Sequence, residues 1–107
     1  APALAKRGDV VKRATCSKGA SVKLKLSPED GRIEAELEVD QNRNGVRWKV
    51  TVRRNGRLAA AARATTRAPS GSFTVRRLLP DGAGPDTVRA RATSPSGEVC
   101  AIRATLR

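Results

Sequence analysis

Histidine, tyrosine and methionine do not occur in this 107-residue chain, and its only aromatic residues are Trp48 and Phe73. Without histidine the chain has no general base of the usual kind near neutral pH, no imidazole metal ligand and no Ser-His-Asp triad. No serine lies in a nucleophile-elbow sequence, and Glu34, Glu36 and Glu38 recur along one strand face without a predicted pocket. We therefore predict a protein that is not an enzyme and that has neither a cofactor nor a metal ion.

Long apolar runs and acidic residues are also scarce. The longest apolar run is the five residues from Leu58 to Ala62, whereas a helix needs roughly 20 residues to cross a bilayer. Lysine and arginine number 22 against 10 aspartates and glutamates, which gives a net charge of +12. Such a charge attracts anionic partners and opposes self-association. We therefore predict no transmembrane segment, an acidic partner, and a monomer rather than a homo-oligomer.

Cys16 and Cys100 are the only cysteines, one before the first predicted strand and the other inside the last. They have neither CxxC spacing nor a neighbouring histidine, so they fit no zinc site and no redox motif. A disulfide is the favoured prediction, with two buried free thiols as the alternative. A disulfide implies an oxidising compartment, and the first three residues, Ala-Pro-Ala, resemble what remains after signal-peptide cleavage. We therefore predict a mature, secreted, extracellular protein.

Apolar and polar residues alternate with a period of two from Ser21 onward, and turn sequences interrupt this pattern every 8 to 12 residues. Asn55-Gly56 is the strongest of the two-residue hairpin signals. The alanine run between Arg57 and Thr66 favours a helix, but an isolated helix of about ten residues is marginal in water, so a strand is preferred. The alternation predicts seven strands, at about 21–26, 33–39, 46–53, 57–66, 73–79, 88–93 and 99–106.

Seven short strands with a tryptophan on the third favour an all-β fold, an immunoglobulin-like or fibronectin-like β-sandwich with one disulfide. We expect Trp48 and Phe73 in its core, which leaves no exposed aromatic ring on which nucleic-acid bases could stack. Sequence-specific nucleic-acid binding is therefore not expected. Residues 16–107 form the predicted single domain, and residues 1–15 form a predicted flexible basic N-terminal arm.

The charges of this sandwich segregate between its two outer faces. If strands one, two and five share a sheet, Lys23 and Lys25 lie opposite the row of glutamates on strand two, and these charges favour one register. The other sheet, with strands three, six and seven, exposes cations without a carboxylate. Guanidinium groups bind phosphate, sulfate and carboxylate bidentately. The predicted anion-binding residues are Arg47, Lys49, Arg53, Arg89, Arg91 and Arg103.

Two alternatives compete with this anion site. The cations can form a merely solvated face that prevents aggregation, enriched in arginine by codon usage. The arm can instead add as a strand to another subunit, which makes the protein a subunit of an extracellular assembly.

Two short motifs carry weaker signals. The loop DQNRNG (Asp40 to Gly45) matches the first half of a calcium loop, but Thr51 stands where the bidentate glutamate belongs, so a plain turn is favoured. Arg7-Gly8-Asp9 spells the integrin-recognition tripeptide, a motif short enough to arise by chance.

The chain from Cys16 onward, about 90 of the 107 residues, resembles a family of small secreted actinobacterial proteins. The shared features are the early and late cysteines, a segment like SPEDGRIEAELEVDQNRNGVRWKV and a segment like TTRAPSGSFTVRR. The resemblance implies a disulfide-bearing extracellular β domain of uncharacterised function and transfers no site residue. The sequence thus predicts a secreted, non-catalytic module that docks to an anionic envelope polymer or an acidic protein surface.

Overall fold

The computed structural model describes residues 8–81 and 84–107. Every regular element in these residues is a β-strand, which confirms the all-β prediction. The eight strands are β1 (Val10–Thr15), β2 (Ser21–Glu29), β3 (Arg32–Asp40), β4 (Arg47–Arg54), β5 (Arg57–Thr65), β6 (Ser72–Pro80), β7 (Asp86–Thr93) and β8 (Val99–Leu106).

The strands form two antiparallel sheets of four that pack against each other. Sheet I has the order β1-β2-β3-β6, and sheet II has the order β5-β4-β7-β8. The predicted division of the strands is confirmed, since the third, sixth and seventh predicted strands share sheet II and the first, second and fifth share sheet I. The described residues contain no helix that could cross a membrane.

The prediction of seven strands is wrong, because β1 adds an eighth. It pairs antiparallel with β2 and forms the edge of sheet I, within the segment predicted to be a flexible arm. Lys12 occupies the core-facing position opposite Leu24 and interrupts the apolar alternation that would have revealed the strand. Its side chain stays exposed because β1 lies at the edge. Residues 1–7 of the predicted arm lie outside the described residues.

The alanine-rich segment is a strand, as predicted. Asn55 and Gly56 both have positive φ angles, 49° and 85°, and turn the chain from β4 into β5 as a two-residue hairpin does. Ala60, Ala62 and Ala64 then pack against the core. Tertiary packing thus decides the conformation of a segment whose composition alone favours a helix.

The core lies between the sheets and contains both aromatic residues. The Trp48 side chain is completely buried, and its ring centroid lies 6.1 Å from that of Phe73. The indole Nε1 donates a hydrogen bond to Gln41 Oε1 at 3.2 Å, so its one polar group is satisfied. The predicted core position of both rings is confirmed.

The predicted disulfide between Cys16 and Cys100 is present. It joins the turn between β1 and β2 in sheet I to β8 in sheet II. Ser17 strengthens this junction, because its amide donates to Val99 O and its Oγ accepts from Val99 N, both at 2.9 Å. The disulfide and these hydrogen bonds hold the two sheets together at one edge.

Candidate anion-binding face on sheet II

Three arginines form a row across the outer face of sheet II. Arg53 on β4 lies opposite Arg89 on β7, and Arg89 lies opposite Arg103 on β8. Residues directly opposite in an antiparallel pair have Cα atoms about 4.5–5.5 Å apart, so the row spans about 10 Å. Because the alternate residues of these strands point into the core, all three side chains point to solvent.

The next row along the same face contains only one large side chain. It consists of Thr51, Arg91 and Ala101, again in direct register. The small side chains leave a depression of about 330 Å³. The structure thus brings four of the six predicted residues around one concavity, which is lined by Thr51, Arg53, Arg89, Ala90, Arg91, Ala101, Ile102 and Arg103.

Arg47 and Lys49, the other two predicted residues, lie farther along β4 and do not line this depression. Lys49 faces Arg63 of β5, which is not among the predicted anion-binding residues. The sequence does contain an indication of this position. If Ala62 and Ala64 face inward on a strand, the intervening Arg63 must face outward. Lys49 and Arg63 line a second, more apolar depression of about 530 Å³. We define the basic face as the exposed cations Arg47, Lys49, Arg53, Arg63, Arg89, Arg91 and Arg103.

No carboxylate neutralises the basic face within the described part of the chain, since none of the ion pairs there involves its seven cations. The two carboxylates that belong to sheet II or its turns, Asp86 and Glu98, are both buried. Asp86 Oδ1 lies 2.9 Å from Arg54 Nη2 in an ion pair and accepts a hydrogen bond from Asn55 Nδ2 at 3.2 Å. Glu98 Oε2 accepts from the amides of Lys18 and Ala20. Both acids therefore support the fold, and the positive charge of the face is uncompensated.

The outer face of sheet I is neutralised by contrast. Lys23 lies opposite Glu38, with Nζ 3.4 Å from Oε1, and Lys25 lies opposite Glu36, which confirms the predicted register. Lys25 itself makes its ion pair with Asp9, at 3.5 Å.

Arg76 of β6, absent from the predictions, completes the neutralisation of sheet I. It donates to Glu36 at 2.6 Å and lies 3.4 Å from Glu34. The hydrogen bond to Glu36, together with the charges of Glu36 and Glu34, raises the pKa of Arg76 above its ordinary value. Its guanidinium is therefore committed to these two carboxylates.

The DQNRNG loop uses its polar groups to hold its own shape. Asp40 Oδ1 accepts from the amide of Asn42, and the carbonyl of Arg43 accepts from Thr66 Oγ1. Gly71 packs so closely against the loop backbone that a side chain there would collide with it. In residues 8–81 and 84–107 no group of three or more His, Cys, Asp or Glu residues is placed to hold a metal ion.

The integrin-type tripeptide lies at the boundary of the structure. Arg7 is outside the described residues, and the Asp9 carboxylate pairs with Lys25. The tripeptide therefore adds nothing to the candidate site.

No protein-family model, no curated protein and no solved structure matches the chain. The resemblance to small actinobacterial proteins therefore stays a prediction. The function must be inferred from the site itself.

Proposed function

We propose that the protein is a secreted, non-catalytic binding module that docks to an anionic envelope polymer through the basic face. The observation that carries the proposal is the concentration of seven exposed cations on one outer face, where the described residues place no carboxylate among them. The disulfide supports an extracellular location, because such bonds persist in oxidising compartments.

The arrangement of the cations suits a polymer better than a small molecule. Arg47, Lys49 and Arg53 follow β4, where alternate residues are about 7 Å apart, and the row of Arg53, Arg89 and Arg103 crosses the sheet. A chain of repeating anions can contact several of these groups at once. Such contacts release counterions, so the affinity falls steeply as the salt concentration rises.

The finer fold class is part of the same proposal. Without β1, sheet I has three strands and sheet II has four, with β5 added beside β4. Immunoglobulin-like domains divide their strands between two sheets in a similar way. They can carry an extra strand on the sheet that corresponds to β4, β7 and β8. This division supports an immunoglobulin-like or fibronectin-like sandwich extended by one edge strand.

Co-sedimentation with isolated bacterial cell walls tests the proposed function. The wild-type protein is expected to pellet at low salt and to dissociate at high salt. The variant Arg89→Ser/Arg91→Ser/Arg103→Ser is expected to bind at least about tenfold more weakly. The control Lys12→Ser/Arg13→Ser/Arg32→Ser removes the same charge from positions outside the basic face and is expected to stay near wild type. If both variants lost the same affinity for cell walls, the binding would depend on net charge alone and not on the basic face. If the Arg89→Ser/Arg91→Ser/Arg103→Ser variant lost no affinity, the proposal would be contradicted.

The alternative function, an assembly subunit that donates its N-terminal residues to a neighbour's sheet, has less support. Val10–Thr15 already pair with β2 of their own chain, so assembly would require residues 1–7 or an exchange of β1. Strand addition depends on backbone hydrogen bonds and apolar contacts and should resist salt. Salt-resistant oligomers in analytical ultracentrifugation would favour assembly, and a monomer at high protein concentration would reject it.

A further inference from the structure

The four arginines around the smaller depression have unused hydrogen-bonding capacity. Arg53, Arg89, Arg91 and Arg103 are exposed, and within the described residues none of their guanidinium groups is in an ion pair or a side-chain hydrogen bond. Each guanidinium has five N–H donors in a fixed planar geometry. Their side chains come from three adjacent strands, so the donors can approach one ligand from several directions.

Electrostatic repulsion makes this arrangement an unfavourable one for the isolated protein. Like charges directly opposite each other destabilise a sheet, and here Arg89 has an arginine on both sides. The row that follows on β7 and β8 is uncharged: Thr87 and Thr105 lie opposite each other with their hydroxyls 2.9 Å apart. A face that only had to be soluble would distribute its cations evenly. The three adjacent arginines instead point to a ligand that neutralises them.

The number and direction of the donors select the class of ligand. A carboxylate has two oxygens in one plane, which one or two guanidinium groups saturate. A phosphodiester likewise offers only two free oxygens. A sulfate ester or a phosphate monoester has three free oxygens that point to different sides, which suits arginines approaching from β4, β7 and β8. Thr51 lines the same depression and brings a hydroxyl-bearing side chain to it.

We infer that this depression is a subsite for a tetrahedral oxyanion with three free oxygens, carried as an ester on the polymer that the basic face binds. The inference rests on the proposed function and assigns it a ligand class. Arg47, Lys49 and Arg63 lie outside the subsite and supply general attraction along the chain. Specific recognition therefore depends on guanidinium geometry at four positions, and non-specific attraction depends on charge over the whole face.

Substitution by lysine separates geometry from charge. The variant Arg53→Lys/Arg89→Lys/Arg103→Lys keeps every charge but loses the planar pair of donors. The control Arg13→Lys/Arg32→Lys/Arg67→Lys makes the same change at three exposed arginines outside the basic face. Both variants should melt within about 2 °C of wild type, because the exposed side chains make no contacts on which the core depends.

The probes are dextran sulfate, dextran phosphate monoester and carboxymethyl dextran of matched charge density, with binding measured by isothermal titration calorimetry. Wild type and the control should bind at least one of the two oxyanion polymers about tenfold or more tightly than carboxymethyl dextran. Preference for the sulfate polymer alone identifies sulfate esters, and preference for the phosphate polymer alone identifies phosphate monoesters. The subsite variant should bind all three polymers within about twofold of one another.

The outcomes separate this inference from the proposed function. Equal binding of the three polymers by wild type, or an undiminished preference in the subsite variant, would overturn the subsite and leave the proposed docking intact. If wild type bound none of the polymers and did not pellet with cell walls, the proposed function itself would fail.

Discussion

The two outer faces of the sandwich contain similar numbers of cations but very different numbers of carboxylates. Among the strand residues that the structure describes, the outer face of sheet I has five cations and five carboxylates, whereas the basic face of sheet II has seven cations and no carboxylate. A preference for arginine codons would enrich both faces in arginine and would not remove carboxylates from one of them. The asymmetry is therefore a stronger sign of function than the net charge. The cations of sheet I are Arg13, Lys23, Lys25, Arg32 and Arg76, and its carboxylates are Glu29, Glu34, Glu36, Glu38 and Asp40.

The largest expected effect, a loss of stability, comes from removing the disulfide that links the two sheets. Replacement of both Cys16 and Cys100 by serine should lower the free energy of unfolding by about 4–5 kcal/mol, because the disulfide closes a loop with a sequence separation of 84. Denaturant titration measures this loss. At a temperature where the variant is still folded, the basic face should bind polymer as before, since it includes no residue of the disulfide. A loss below about 2 kcal/mol would contradict the expected constraint on the unfolded chain.

Two neighbouring arginines on β4 should have different roles, one in stability and the other in polymer binding. Arg54 points inward and pairs with the buried Asp86, so Arg54→Ala should cost about 3 kcal/mol by leaving that carboxylate without its cation. Arg53 points outward, and Arg53→Ser should change stability by less than about 0.5 kcal/mol but weaken polymer binding. Urea denaturation and co-sedimentation of both variants measure the two roles. Similar effects of the two substitutions on either measurement would remove the distinction between structural and ligand-binding arginines.

The substitution Glu34→Gln/Glu36→Gln/Glu38→Gln reduces the asymmetry, because it removes the ion-pair partners of Lys23 and Arg76 on sheet I. Polymer affinity should rise about threefold or more, and a second equivalent of polymer should bind, because both faces would then be basic. Stability should fall only slightly, since exposed ion pairs contribute little. Isothermal titration calorimetry measures both the affinity and the number of polymer equivalents bound. A single site with unchanged affinity would show that the absence of carboxylates alone does not create a binding face.

Particular residues show what period-two alternation predicts and where it fails. It predicts Trp48 in the core and directs Lys23 and the six cations outward, because each of these depends only on which side of a strand a residue faces. The grouping of the six cations on one sheet comes instead from the expected division of the strands in an immunoglobulin-like sandwich. The alternation missed β1, where Lys12 occupies a core-facing position at an exposed edge. It also missed the pairing of Arg54 with Asp86, since both side chains lie at inward positions where an apolar residue is expected. Pairings between distant strands are not visible in local periodicity.

Arg63 gives the smallest expected effect and the sharpest test of how far the basic face extends. It faces Lys49 across β4 and β5 but lies outside the four-arginine depression. Arg63→Ser should therefore weaken binding only about two- to threefold at moderate salt and leave the preference among polymers unchanged. If Arg63 contacts the polymer, the slope of log K against log salt should decrease by about 0.7–0.9, the contribution of one released counterion. Arg67→Ser, a change to an exposed arginine outside the basic face, is the control. An unchanged slope for Arg63→Ser would confine the polymer to β4, β7 and β8, and the basic face would then end at β4.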